Sequence, residues 1–263
     1  MKIESPNNEK IKRAALLKDK RQRDKTGLFI VEGIKQIREI KDGWEVREIF
    51  VLDGCGKDEN DFLKLSRPAA KVFTVLPAVA NKIASTKTTQ GFFAVVKKKV
   101  FDLDKVLSEG KKFIFLENIA DPGNVGTIIR SADAFGFSGV FVSKGSADVF
   151  LDKTLRSSMG SIFNIPVIDN IGSKELFEKL KMFGVSTYAA SLTASKDLRD
   201  LKIAKKAMIC VGNESKGLSG EVLEACDECF KVAMAGKIQS LNAAVAASRI
   251  MFEVSKPKSL ARS

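Results

Sequence analysis

Apolar residues along the chain recur with two periods, one of two residues and one of about 3.6. Leu28 to Val31, Val46 to Leu52, Lys71 to Val75 and Gly91 to Val96 read as strands. Ile34 to Ile40, Asp58 to Leu65 and Pro77 to Ala84 read as helices between them. Strands and helices alternate, which predicts a small α/β layer domain. Lys97, Lys98 and Lys99 break the pattern. A linker is expected at about 97–110, dividing the chain into 1–99 and 100–263.

The second half alternates as well. Strands are expected at Phe113 to Glu117, Val140 to Val142, Ile165 to Ile168, Ser186 to Ala190, Ala207 to Val211 and Phe230 to Ala233. Val125, Ile128, Ile129, Ala132 and Phe135 follow helical spacing, as do Leu151 to Ser158, Ser173 to Phe183 and Leu241 to Ser255. This predicts a mainly parallel sheet covered by helices. No G-x-G-x-x-G follows its first strand, so a nucleotide-like ligand needs a different cradle.

Composition narrows the chemistry. The 263 residues carry a formal net charge of +12 and no histidine. The charge favours a polyanionic partner, because pairing with phosphates releases counterions. Missing histidine excludes Ser-His-Asp catalysis and histidine-bound metals. Cys226 and Cys229 have C-x-x-C spacing, but nothing completes a zinc set, and buried reduced thiols are expected. The start of the chain is polar and no apolar run reaches membrane length, so a soluble cytoplasmic protein is expected. Lys10, Arg13, Lys20, Arg21 and Arg23 belong to a basic cluster before the first strand. They are either a solvated helix face or an RNA phosphate site.

Polar residues concentrate in three loops of the otherwise apolar second half. The first is Asp121-Pro122-Gly123-Asn124, with Asn124 expected to cap a helix that carries Arg130 on its apolar side. Arg130 is either an arginine that snorkels to solvent or a functional one. The second runs from Gly212 to Leu218 after a very apolar strand, the usual place for ligands in α/β folds. Glu214 there reads as a helix cap, a hydrogen-bond acceptor or a base. The third runs from Val232 to Asn242, where Ser240 and Asn242 are candidate caps of the last helix. The small residues of that helix suit either core packing or a subunit interface.

Together the loops resemble the SpoU (TrmH-type) family of RNA ribose methyltransferases, within the SPOUT superfamily. N-x-G-x-x-x-R is met by Asn124, Gly126 and Arg130, and G-x-E-x-x-G-L by Gly212, Glu214, Gly217 and Leu218. M-x-G-x-x-x-S-L-N is met by Met234, Gly236, Ser240, Leu241 and Asn242. Arg156, Ser158 and Gly160 match a further R-x-S-x-G stretch. Phe29 to Gly33 is similar to the start of the family's N-terminal substrate domain, which resembles a ribosomal-protein α/β fold. Two positions depart from the pattern: Ala233 stands where the family usually has proline, and Ala244 where it often has serine.

The resemblance implies a trefoil-knotted C-terminal domain, S-adenosylmethionine as cofactor, and a homodimer built on that domain. A sulfonium methyl donor is already activated, so no metal is expected. It implies 2′-O-methylation of RNA, with ribosomal RNA favoured because tRNA-specific relatives often lack the N-terminal domain. The rivals are a tRNA methyltransferase, a catalytically silent RNA-binding protein, and a small-molecule enzyme of ordinary Rossmann type, which the missing glycine fingerprint and the basic charge disfavour. Arg130 is implied as the key catalytic residue, with Asn124, Glu214, Ser240 and Asn242 as its polar surroundings. Gly212, Val232, Ile238 and Leu241 are implied to surround the cofactor, with Ala189 and Ala190 forming one side.

Overall fold

The computed structural model describes residues 1–55, 70–86, 88–234, 236 and 240–256. The helix expected at 58–65 lies outside them. Two compact units emerge, Met1–Lys99 with Phe150–Phe163, and Val100–Val149 with Asn164–Ser263.

The first unit is built on β1 (Lys2–Ile3), β2 (Leu28–Glu32), β3 (Val46–Leu52), β4 (Lys71–Val75) and β5 (Phe92–Lys97), in the order β1-β4-β3-β5-β2. Pairing is parallel from β1 to β3 and antiparallel from β3 to β2. Its helices are α1 (Glu9–Leu16), α2 (Lys20–Thr26), α3 (Ile34–Arg38) and α4 (Pro77–Ile83). Ile30, Phe50, Phe73, Phe93 and Val95 form one core face with Ile11, Ala14, Val79 and Ile83 from α1 and α4. The alternate positions, Phe29, Val31, Ile49 and Val51, are equally buried, so the strands read as nearly continuous apolar runs.

The segment 150–163 belongs to this unit, although the sequence places it with the second domain. It contains α7 (Asp152–Ser158). Phe150 lies 4.6 Å from Phe29 ring to ring, and Phe163 lies 5.1 Å edge-on to Trp44. Trp44 Nε1 donates to the Phe163 carbonyl at 3.2 Å. Phe29 is thus buried by Trp44 together with Phe150 and Phe163, residues more than a hundred positions later in the chain.

The second unit holds β6 (Lys112–Leu116), β7 (Gly139–Ser143), β8 (Val167–Ile171), β9 (Ser186–Ala190), β10 (Ala207–Val211) and β11 (Glu228–Phe230). The order is β11-β9-β10-β6-β7-β8, all parallel. Helix α5 (Leu103–Glu109) occupies part of the expected linker; Asp102 caps it and Leu107 is buried. It packs on one face of the sheet with α8 (Ser173–Met182) and α9 (Gly220–Ala225), around Phe113, Phe115, Phe141 and Met208. Elsewhere α6 (Pro122–Ala134) runs alongside α10 (Ala243–Ser255), joined by Ser131 to Ser248 at 2.7 Å and by the Phe135 and Phe252 rings. Ala243, Ala244, Ala247, Ile250 and Met251 of α10 are buried within the chain itself. The small-residue face of the last helix therefore serves the unit's own packing and is not available as a subunit interface.

Strands β7 and β10 flank β6 on opposite sides, so the chain reverses its direction of winding there. Loops leaving the carboxyl ends of strands beside such a reversal enclose a crevice. The three polar loops follow β6, β10 and β11.

Candidate active site

Asp121, not Asn124, caps α6: its side chain accepts from the Asn124 backbone N–H at 2.9 Å, and Pro122 opens the helix. This leaves the Asn124 amide free to reach sideways. Its Nδ2 donates to Glu214 Oε1 at 2.6 Å, and its Oδ1 accepts from Asn242 Nδ2 at 3.0 Å. Asn242 meanwhile caps α10, its Oδ1 accepting from the N–H groups of Ala244 and Val245. One amide thus ties the three loops into a single chain, Glu214–Asn124–Asn242. Glu214 does not cap α9; Ser219 does.

The loop carrying Glu214 is held from both sides. Asn213 and Gly217 exchange backbone hydrogen bonds at 2.8 and 3.1 Å, and Asn213 Oδ1 accepts from the N–H groups of Ser215 and Lys216. Asn213 Nδ2 donates to the Asn118 carbonyl at 2.9 Å. Asn118 has the left-handed φ of 55°, which asparagine tolerates better than most residues. Beside it the buried carboxylate of Glu117 accepts from both the Ser219 N–H and the Ser219 hydroxyl, each at 2.7 Å. Glu117 and Asn118 stand outside the three motifs. Their sequence signal is only their place at the carboxyl end of β6.

A cavity of about 360 Å³ opens beside this loop, bounded by the ends of β9 and β10 and by the loop after β11. Gly212, Val232, Leu241, Glu214 and Ser240 all line it. Ile238 lies outside the described residues. Ala189 does not line the cavity: it points into the core with Phe115 and Met208, and Ala190, one residue on, lies at the wall. Successive strand residues face opposite ways, so a one-residue shift exchanges wall for core. Gly212 is compulsory, since a Cβ there would sit 2.2 Å from the Gly217 carbonyl carbon.

Arg130 is exposed on α6 and makes no hydrogen bond or ion pair among the described residues. The apolar residues around it, Ile128, Ile129 and Ala132, are fully buried on the other side of the helix.

The matching residues extend well beyond the loops. Residues 111–252 match the SpoU rRNA Methylase family, and residues 8–94 match the MRM3-like substrate binding domain. The chain belongs to the SpoU family. It is 33% identical over 254 residues to the 23S rRNA (guanosine(2553)-2′-O)-methyltransferase RlmP of Bacillus subtilis, covering 96% of this chain and 98% of that protein. It superposes on an AdoMet-bound rRNA methyltransferase from Sinorhizobium meliloti with a TM-score of 0.86, at 28% identity and 96% coverage of both chains. The SpoU methyltransferase AviRb of Streptomyces viridochromogenes, in complex with AdoMet, gives 0.87 at 27% identity, covering 95% of this chain and 97% of that one.

Within this SpoU chain the basic cluster does not act as one. Lys20 and Arg21 are exposed on α2, whereas Arg23 is buried and donates Nη1 to the carbonyls of Leu17 and Lys18 at 2.7 and 2.8 Å. Arg23 is structural, because a guanidinium holding buried carbonyls is not offered to a phosphate. Lys10 and Arg13 stand 3.9 and 3.8 Å from Glu48. The cysteines are free thiols, and Cys210 lies 3.8 Å from Cys226, sulfur to sulfur. That neighbouring thiol and complete burial push the Cys210 pKa up. No helix among the described residues is long and apolar enough to cross a membrane.

Proposed function

We propose that this chain transfers a methyl group from S-adenosylmethionine to a ribose 2′-hydroxyl of ribosomal RNA. The observation that carries the reading is the Glu214–Asn124–Asn242 chain beside the strand-end cavity, in a protein matching an rRNA 2′-O-methyltransferase over nearly its whole length. The cavity suits the cofactor. Its size falls in the range of small-molecule sites, and its walls combine apolar side chains with the bare backbone of Gly212 and Gly217. Leu218, Phe230, Leu241 and Ile250 would hold the adenosine by apolar contact, with loop amides at its edge. When bound, the cofactor supplies an electrophilic methyl on a sulfonium. The trefoil knot implied by the family belongs to the same reading.

The chain's own residues then orient the ribose and stabilise its oxygen. A guanidinium stays protonated, so Arg130 acts by fork-like hydrogen bonds to the hydroxyl and a neighbouring phosphate, stabilising negative charge as it develops. Its exposure and lack of a partner among the described residues leave those donors available. Glu214 spends Oε1 on Asn124 and presents the rest of its carboxylate as proton acceptor. Asn124 and Asn242 keep that carboxylate in place, and Ser240 completes the wall. Lys20 and Arg21 contribute phosphate contacts from the first unit. A homodimer forms through the stripe of α10 bearing Val245 and Phe252, which are 54% and 46% exposed; light scattering at micromolar concentration tests it. A cytoplasmic enzyme is part of the same reading, since ribosomal RNA is met there.

The deciding experiment maps 2′-O-methylation across the ribosomal and transfer RNAs of a deletion strain and its parent. One ribosomal 2′-O-methyl group should disappear and return with a plasmid copy. Loss confined to a tRNA would move the substrate, and unchanged RNA would refute the activity.

A further inference from the structure

A second cleft, of about 390 Å³, lies in the first unit, far in sequence from the motif loops. Ala14, Leu17, Leu28, Val46 and Val95 make its apolar floor, and Leu16 stands at its rim, 52% exposed. Arg13, Arg47 and Lys71 border it. Two carboxylates also border it, but each is shared by two cations: Glu45 by Arg47 and Lys97, Glu48 by Lys10 and Arg13. Among the residues that line the cleft, Arg13, Arg47 and Lys71 face those two carboxylates, so the rim is net positive by one charge. Of the polar side chains along the cleft, Thr26 is committed, donating to the Gln22 carbonyl and accepting from the Leu28 N–H. The Gln22 side-chain amide has no partner among the described residues.

We infer that this cleft captures one unstacked base of single-stranded RNA. An apolar slot receives the faces of the base, and a primary amide offers one donor and one acceptor to its edge. Cations around the opening take the flanking phosphates, a sequence-independent term that adds affinity. A nucleotide uses both parts of the cleft, its base the apolar floor and its phosphates the cations. The inference rests on RNA being the substrate and adds where, outside the methyl-transfer site, a base is read. It makes this cleft a determinant of which RNA is chosen.

The test uses the full chain and two oligoribonucleotides of equal length, one with bases and one with abasic riboses. The parent should bind the first more tightly. Gln22→Leu, which keeps the volume and removes the amide, should weaken that strand at least about fivefold and leave the abasic strand unchanged. Thr26→Trp, placed on an exposed position to fill the cleft, should erase the difference between the strands. Circular dichroism confirms that both variants are folded. Equal affinity of Gln22→Leu and parent for the base-bearing strand overturns the inference. So does equal weakening of both strands. Methyl transfer to ribosomal RNA by the parent is measured in parallel: if it proceeds while the cleft variants behave as the parent, only the cleft is wrong. If the parent binds neither strand and transfers no methyl group, both readings fall.

Discussion

Replacing Gly212 by alanine should pull the cavity loop apart. A Cβ at that position would sit 2.2 Å from Gly217 C, 2.3 Å from Leu218 N and 2.4 Å from Gly217 O. All three are backbone atoms, so no rotamer change relieves the overlap. Carbon atoms prefer separations of about 3.5–4.0 Å, so the Gly217–Leu218 peptide must withdraw by more than ~1 Å. That displacement breaks the paired hydrogen bonds between Asn213 and Gly217, now 2.8 and 3.1 Å long. Two such bonds at about 1 kcal/mol each, with about 1–3 kcal/mol of overpacking, put the local cost at roughly 3–5 kcal/mol. Gly217→Ala is the control. Gly217 has φ +71° but nothing within 4 Å of its would-be Cβ. Only the left-handed backbone is penalised there, at about 1–2 kcal/mol. Calorimetric titration with S-adenosylhomocysteine should therefore show at least about a tenfold loss of affinity for Gly212→Ala and a smaller loss for Gly217→Ala. Thermal unfolding followed by circular dichroism should rank the two variants the same way. Parent-like affinity in Gly212→Ala, or greater damage from Gly217→Ala, would refute the steric argument.

Arg130→Ala should slow single-turnover methyl transfer by at least about 10²-fold with little change in cofactor affinity, and Arg130→Lys should rescue poorly; near-normal turnover in the alanine variant removes Arg130 from the mechanism. Glu117→Ala leaves the Ser219 N–H and hydroxyl without their acceptor and should destabilise the protein by about 1–3 kcal/mol per orphaned donor in urea unfolding. Ser219→Ala takes the hydroxyl donor from the buried Glu117 carboxylate and the cap from α9, and should also lower the urea midpoint; an unchanged midpoint in both variants counts against the Glu117–Ser219 pairing. Arg23→Ala should lower the unfolding midpoint and spare the salt dependence of RNA binding. The Lys20→Ala, Arg21→Ala double variant should reduce that salt slope by about one to two and spare the midpoint; the reverse pattern would return Arg23 to the RNA site.

Which stretches become strands was legible where short clusters of apolar and β-branched residues stand between turn signals. Val46–Leu52, Lys71–Val75, Ser186–Ala190 and Ala207–Val211 have the bounds that the pattern predicts. Boundaries slipped where the pattern is weak, as at polar β11, found at Glu228–Phe230 and not at Phe230 to Ala233. The triple lysine suggested a break, yet Lys97 still pairs with Leu28 in β5, and α5 follows within a few residues. Asn124 read as a cap because asparagine is a good one. Asp121 took the role once Pro122 began the helix, and the freed amide joined Glu214 and Asn242.

The amino-acid order alone determines the alternation of strands and helices, the placing of polar loops at strand ends, and the family. These follow from residues close together in the chain, whose spacing decides which side of a helix or strand is apolar. The partners of each buried surface do not. Phe150 and Phe163 are visibly apolar, but only tertiary packing shows that they cover Phe29 and Trp44. Arg23 carries the same charge as Arg21, and only the carbonyls of Leu17 and Lys18 separate a buried brace from an exposed cation. Glu214 and Asn242 reach Asn124 across sequence gaps of 90 and 118 residues. Hydrophobic burial is non-directional, so a pattern states that a surface will be covered and leaves open by what. The directional hydrogen bonds that join three distant loops exist only after the sheet has brought their strand ends side by side.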